Sequence, residues 1–273
     1  MIHRTIPSSG ETLPLIGLGT WQTFDTPDSQ SYPRLQTVLS EMHNGGGSLI
    51  DSSPMYGLAE KVIGDITSEM PERDAFFYAT KVWTTGREAG IRQMESSMQK
   101  MKRKTMDLMQ IHNLSDWKTH LPVLREWKAA GKIRYTGITH YTDSMHAELE
   151  SVFSTEKIDF VQFNYSIDSR HAEKRLLDAA AHHGVATLIN RPFGEGRLFK
   201  KTKNKTLPSW ATECDIHSWS AYFLKFIVSH PAVTCVIPAT ADPVHATENF
   251  KAGSGKLPDA GLRKKMIDHL ATL

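Results

Sequence analysis

Asp51, Tyr56, Lys81 and His112 are side chains of the types that together can deliver one proton. A phenol with its ordinary pKa near 10 is a weak acid toward a developing alkoxide unless a cation stabilises the phenolate. Lys81 is the candidate cation. A lysine so placed needs a counter-charge to keep it protonated and oriented, and Asp51 fits that role. His112 can donate a hydrogen bond to a carbonyl oxygen, orienting it and stabilising charge that develops in the transition state. Delivering a proton to oxygen has a purpose only when hydride reaches the adjacent carbon. No side chain supplies hydride, so a reduced nicotinamide dinucleotide is implied.

Each residue alone has a plainer reading. Asp51 before a serine pair is a turn or cap residue, Tyr56 a packing residue, Lys81 a solvated strand end, and His112 a structural imidazole. Their combination at successive strand ends favours chemistry. A Schiff-base lyase or isomerase using Lys81, and a non-catalytic barrel holding a dinucleotide as a redox sensor, remain open as alternatives.

The elements that must position these groups alternate along the chain. Strand-like runs at Leu15–Gly19, Ser48–Asp51, Phe76–Lys81, Met106–His112, Ile133–Thr139, Phe160–Asn164, Ala186–Asn190 and Thr234–Ile237 are short and rich in β-branched or aromatic residues. Helical spacing marks Tyr32–Asn44, Ala89–Met101, Leu121–Ala130, Ala172–His183 and Trp219–Ser229, with Gly45, Gly131 and Gly184 as stops after three of them. This order predicts a (β/α)8 TIM barrel, an α/β fold. His3–Pro7 and Thr12–Leu15 flank a turn and predict an N-terminal hairpin plugging the barrel bottom. Glu195–Asp215, with Lys200, Lys201, Lys203 and Lys205, reads as a long loop. The last helix is expected at Asp259–His269.

The 273 residues suit one barrel domain spanning 1–273, and no linker divides them. A formal net charge of +2 is too small for a broad field toward nucleic acid or an anionic membrane, so a small molecule is the expected partner. A monomer or weak oligomer is expected. Two cysteines, Cys214 and Cys235, make no disulfide framework, and no leader or spanning segment is visible, so a cytoplasmic location is expected. No His-Glu-x-x-His spacing occurs, and metal catalysis is not expected. No Gly-x-Gly-x-x-Gly turn follows the first strand either, which excludes doubly wound dinucleotide binding.

The chain resembles the aldo-keto reductase family through Gly17-Leu18-Gly19-Thr20-Trp21, the block from Gly46 to Gly57, and the strands ending in Lys81 and His112. Further motifs are similar: Gly137-Ile138-Thr139, Val161-Gln162-Phe163-Asn164, Asn190-Arg191-Pro192-Phe193-Gly194, and Val236-Ile237-Pro238 followed by Glu248-Asn249. The resemblance covers essentially the whole chain. It implies reduction of an aldehyde or ketone to an alcohol, with Asp51, Tyr56, Lys81 and His112 as the catalytic tetrad and Tyr56 as general acid. It further implies a dinucleotide lying against Gly19, Thr20, Trp21, Asp51, Thr139, His140, Gln162, Asn190, Arg191, Pro192, Phe193, Gly194, Thr240, His245, Glu248 and Asn249. Thr139 and Gln162 would meet the nicotinamide carboxamide, and Glu248 and Asn249 the adenine.

Departures from the family pattern fall at the cofactor. Ala239 and Thr240 stand where a lysine and a serine are frequent, and His245 where an arginine often clamps the 2′-phosphate. NADP(H) remains the expected cofactor, with NAD(H) possible and the loop lysines as substitute cations. His140 replaces a frequent asparagine, and Asn190-Arg191 an aromatic-serine pair. Trp21, Phe24, Tyr56, Trp83, His112 and Trp117 are the expected substrate pocket, with Met55 and Phe193 as further wall candidates.

Overall fold

The computed structural model describes residues 1–273. Two short strands, β1 (His3–Thr5) and β2 (Thr12–Pro14), pair antiparallel as a hairpin. Eight parallel strands follow: β3 (Leu18–Gly19), β4 (Leu49–Asp51), β5 (Phe77–Val82), β6 (Met106–Ile111), β7 (Ile133–Thr139), β8 (Phe160–Asn164), β9 (Ala186–Asn190) and β10 (Cys235–Val236). Each pairs with its sequence neighbour. Parallel bridges from Ile16 to Val236 and from Gly19 to Ala239 close the ring between first and last strands. The expected TIM barrel with its N-terminal hairpin is therefore the observed fold.

The seam explains why its strands are shorter than the sequence suggests. The Leu15–Gly19 run keeps only two laddered residues, because the backbones cross closely there. A Cβ on Gly19 would stand 2.8 Å from the Ile237 carbonyl oxygen, and one on Gly17 2.9 Å from that of Leu49. Only glycine permits that approach.

Alternation along the strands sorts the interior by height. Ile6 and Leu13 of the hairpin join Leu49, Phe77, Leu108, Tyr135, Phe160, Leu188 and Cys235 in one buried cluster. The hairpin thus plugs the lower end, and burying each of these two side chains stabilises by roughly 1.5–3 kcal/mol. Two residues beyond Leu49, Leu108, Phe160 and Leu188 come Asp51, Gln110, Gln162 and Asn190, and four beyond Phe77 and Tyr135 come Lys81 and Thr139. Register sets Gly19 beside Asp51, Lys81 beside Gln110, and Thr139 beside Gln162. The polar tier is therefore built at the C-terminal ends, where a barrel opens.

The outer layer comprises α1 (Tyr32–Asn44), α2 (Ala59–Ser68), α3 (Arg87–Lys100), α4 (Trp117–Ala129), α5 (His146–Thr155), α6 (Leu176–His182), α7 (Arg197–Lys201), α8 (Trp219–Val228), α9 (Pro243–Lys251) and α10 (Ala260–Ala271). The helical spans read from sequence omit α2, α5 and α9; α2 and α5 have no side-chain N-cap, whereas Asp242 caps α9. The expected Ala172–His183 helix is broken: a 3-10 turn at His171–Lys174 and an extended Arg175 (φ −160°) precede α6. The expected loop after β9 contains α7, which buries Leu198. No helix is long and apolar enough to cross a membrane.

Candidate active site

Asp51 ends β4 and Lys81 lies one residue before the end of β5, both facing inward and almost wholly buried. The Lys81 ammonium donates to Asp51 Oδ2 at 2.6 Å and to the Ser52 carbonyl at 2.7 Å. Gln110 and Gln162 donate to the other carboxylate oxygen at 2.9 and 3.1 Å. A buried ion pair whose remaining lone pairs are filled in this way is fixed in position. The Thr20 hydroxyl donates to the Asp51 carbonyl at 2.9 Å, tying β3 to the same point.

Tyr56 reaches this pair from the turn after β4. The Lys81 ammonium lies 4.9 Å from the centroid of its ring. Burial pushes the Tyr56 phenol above its usual value; Lys81 opposes the rise and Asp51 adds to it. The phenol is therefore protonated at neutral pH, ready to donate. Burial alone would lower Lys81, but Asp51 and Tyr56 outweigh it and hold the ammonium above its ordinary value. Lys81 does lower the phenol's pKa, as the sequence leads one to expect, but burial outweighs it and the net shift is upward. A cation so placed would also stabilise a phenolate.

His112 follows β6 and stands edge-on to Tyr56, ring centroids 5.8 Å apart at 87°. Burial, reinforced by the charges of Lys81 and His140, pushes its pKa down to about 2. It is neutral in the resting protein. Nδ1 lies 2.9 Å from the Ser53 hydroxyl, leaving Nε2 for the cavity. The Ser53 oxygen also accepts from the Met55 backbone N–H at 3.3 Å.

Above the tetrad opens a cavity of about 710 Å³. Its wall includes Gly19, Thr20, Trp21, Asp51, Tyr56, Trp83, His112, Thr139, His140, Gln162, Asn190, Arg191, Pro192 and Phe193. Trp21, Met55, Trp83, Tyr141 and Phe199 are exposed large apolar residues on this wall. Gln22, Asn113, Arg191 and Glu195 line it in left-handed backbone conformations, with φ between 53° and 61°. Such cost is usually retained where function requires the geometry. Arg191 lies over the Tyr141 ring at 4.1 Å and pairs with Glu195 at 2.8 Å.

Other expected residues lie elsewhere. Phe24 is completely buried in the apolar core and is not a cavity wall; Trp117 packs against the same core and also stays off the wall. Thr240, His245, Glu248 and Asn249 lie outside the cavity, at and beyond the end of β10. Thr240 accepts from the Asp242 N–H at 3.0 Å, Glu248 accepts from Ser220, Asn249 is buried, and His245 is exposed. Gly194 has φ 56° and adjoins Arg197. The four lysines at 200, 201, 203 and 205 point to solvent and none lines the cavity. A cation the sequence reading missed stands near Thr240: Arg34 of α1 pairs with Asp242 at 2.7 Å. Ser53, Gln110, Asn113 and Tyr141 were also missed. Strand register with Lys81 is the signal that would have found Gln110.

Polar atoms without partners indicate what this wall can hold. Asn113 Oδ1 and Asn190 Oδ1 are buried and accept from nothing, while Asn190 Nδ2 is held by the His140 carbonyl at 3.1 Å. Two such acceptors suit N–H donors, as in a carboxamide.

Known proteins resemble this chain along most of its length. The chain is 25% identical to "Methylglyoxal reductase YeaE" of Escherichia coli (strain K12), over 96% of this chain and 93% of that one. It is 27% identical to the "NADH-specific methylglyoxal reductase" of the same organism, over 68% of this chain and 66% of that one. A crystal structure of an aldo/keto reductase from Klebsiella pneumoniae, in complex with NADP and acetate, superposes with a TM-score of 0.81 at 22% identity, covering 96% of this chain and 93% of that one. The model of the Aldo/keto reductase family matches residues 15–264, and the chain belongs to that family.

Proposed function

We propose that the protein is an NADP(H)-dependent carbonyl reductase that converts an aldehyde or ketone to an alcohol, with Tyr56 as general acid. The observation that carries this reading is the fixed Lys81–Asp51 pair beneath the Tyr56 phenol, with His112 at its edge on the floor of an open cavity. When bound, the reduced nicotinamide supplies hydride. Thr139, Gln162 and Asn190, with the free amide oxygens of Asn190 and Asn113, are the residues that would hold its carboxamide end.

The protein's own groups then divide the work. Tyr56 donates its proton to the carbonyl oxygen, and Lys81 stabilises the phenolate left behind. Asp51 keeps Lys81 protonated and in place. His112 donates from Nε2 to the same carbonyl oxygen. In this reading Ser53, one of whose lone pairs accepts from Met55, donates its O–H to Nδ1 and so keeps the ring proton on Nε2. A Schiff-base role for Lys81 would need a neutral, mobile amine. This ammonium is fully buried, tied to Asp51 and Ser52, and held above its ordinary pKa.

Small aldehydes are the substrates to try first, since the relatives' names include methylglyoxal. For the dinucleotide, Arg34 is the cation near the end of β10, where the family's frequent lysine and arginine are absent, and Asp242 holds it there. The protein is expected to favour NADPH over NADH in kcat/KM by about tenfold, the value of one extra charge-assisted contact. A ratio at or below one in the same buffer would assign it to NADH.

The pH dependence follows from the directions above. Tyr56 donates only while protonated and its pKa is raised, so donation is lost only as pH climbs past that raised value. His112 is neutral down to about pH 2 and contributes no limb near neutrality. Carbonyl reduction at saturating cofactor is therefore expected to stay flat between about pH 6 and 9, where free histidine would titrate. A limb near pH 6.5, removed by His112→Gln, would contradict the neutral His112.

A further inference from the structure

We propose that Asp143, His146 and His171 form a binding site for one divalent transition-metal ion of the zinc class, outside the reductase cavity. One ligand atom from each lies within 4.8 Å of the others. The three come from two neighbouring connections at the open end of the barrel. Asp143 lies in the turn after β7, His146 begins α5, and His171 begins the turn that precedes α6. Their spacing is i, i+3 followed by a gap of 25 residues, so no compact metal motif shows in the sequence.

Hydrogen bonding fixes which nitrogen of His146 is free. Asn164, at the end of β8, donates its Nδ2 to Asp143 Oδ1 at 2.6 Å, which sets the orientation of the amide. Its Oδ1 then faces His146 Nε2 at 3.0 Å and can only accept, so Nε2 carries the ring proton. His146 Nδ1 then offers only its lone pair, which accepts from His171 Nδ1–H at 3.0 Å when no ion is bound, while the protonated Nε2 lies 3.9 Å from Asp143 Oδ1. A ligating imidazole whose other N–H is donated to a carbonyl oxygen is the usual supporting arrangement of a metal site. Here that support is in place for a histidine only 3% exposed.

Geometry and access agree. Two nitrogens on a tetrahedral zinc ion stand about 3.3 Å apart, given bonds of roughly 2.0–2.1 Å. To take an ion the two imidazoles must give up the proton they share, part by a few tenths of an ångström and turn both lone pairs toward it. Ser169 donates to Asp143 at 3.2 Å, holding the carboxylate. Asp143, Ser169 and His171 line a surface cleft through which an ion and its completing water can enter. Of the basic groups on that cleft, Arg197 is neutralised by Asp168 at 2.9 Å, while Arg170 and Lys174 keep the affinity moderate. Two imidazoles and one carboxylate favour zinc, cobalt or nickel over magnesium or calcium. An ion there would clip the loop after β7 to the loop after β8.

The test is titration of chelator-treated full-length protein with Co2+, followed by visible absorption, and with Zn2+, followed by calorimetry and thermal unfolding. The expected result is one ion per chain, a cobalt band from mixed nitrogen and oxygen ligands, and a higher melting temperature with Zn2+. His171 is partly exposed, so His171→Ala should fold while losing affinity by about tenfold or more, together with the Zn2+ stabilisation. Should that variant not fold, Asp143→Asn serves the same purpose. No 1:1 binding to the wild-type protein, or binding unchanged in a folded variant, would overturn the site.

Discussion

Replacing Tyr56 with phenylalanine is expected to lower turnover of carbonyl substrates by about 10³-fold while leaving dinucleotide affinity within about twofold, because general acid catalysis is worth roughly 10²–10⁴. The substitution deletes one hydroxyl. Its ring contacts, edge-on to His112 at 5.8 Å and 4.9 Å from the Lys81 ammonium, are available to phenylalanine as well. Loss of rate would therefore report the missing proton donor, not a collapsed cavity. Rapid-mixing kinetics on the variant, with cofactor affinity measured by tryptophan fluorescence, separates the two. Carbonyl reduction at near wild-type rate would remove Tyr56 from its role.

The second large effect concerns the buried pair. Lys81→Met leaves the Asp51 carboxylate at 2% exposure with only the Gln110 and Gln162 amides and no cation. Breaking a buried pair from one side typically costs about 3–5 kcal/mol. Denaturant unfolding should show a loss of that order, and turnover should fall by about 10²-fold or more because nothing stabilises the Tyr56 phenolate. Lys81→Met combined with Asp51→Leu removes both charges and should recover much of the stability while leaving activity absent. That contrast identifies the pair as a catalytic device whose cost the fold carries. If Lys81→Met were as stable as wild type and fully active, the pair would be neither.

The comparison between sequence and structure follows from what local patterns encode. Barrel strands announce themselves through alternation and apolar content, and the expected runs end within about one residue of the ladder. The Leu15–Gly19 and Thr234–Ile237 runs shrink because the seam depends on how two distant backbones cross, which composition does not report. Helices α2 and α5 begin without capping side chains, but so do α1, α3 and α4, whose apolar spacing alone marked them. Asp51, Lys81 and His112 could be placed because each ends an apolar run, and Tyr56 because it follows Asp51 through a short turn. Phe24 was not placed correctly, since an aromatic residue after a strand reads alike whether it lines a mouth or fills a core.

The supporting shell was the least legible part. Gln110 and Gln162 act on Asp51 across 59 and 111 residues of sequence. The Ser53–His112 contact likewise spans 59 residues, and the Arg34–Asp242 pair spans 208. Only barrel closure brings these groups together. The raised Tyr56 pKa is equally tertiary, since burial, which no motif states, outweighs the Lys81 charge.

The most direct test mixes the wild-type protein with NADPH and a panel of aldehydes and ketones beginning with methylglyoxal, following nicotinamide absorbance and identifying the product, with Tyr56→Phe run alongside. The result expected is stoichiometric conversion of NADPH to NADP and of carbonyl to alcohol by the wild type, with the variant binding NADPH and converting almost none. NADPH binding without oxidation across the whole panel would contradict the reductase account and favour a barrel that holds the dinucleotide without using it.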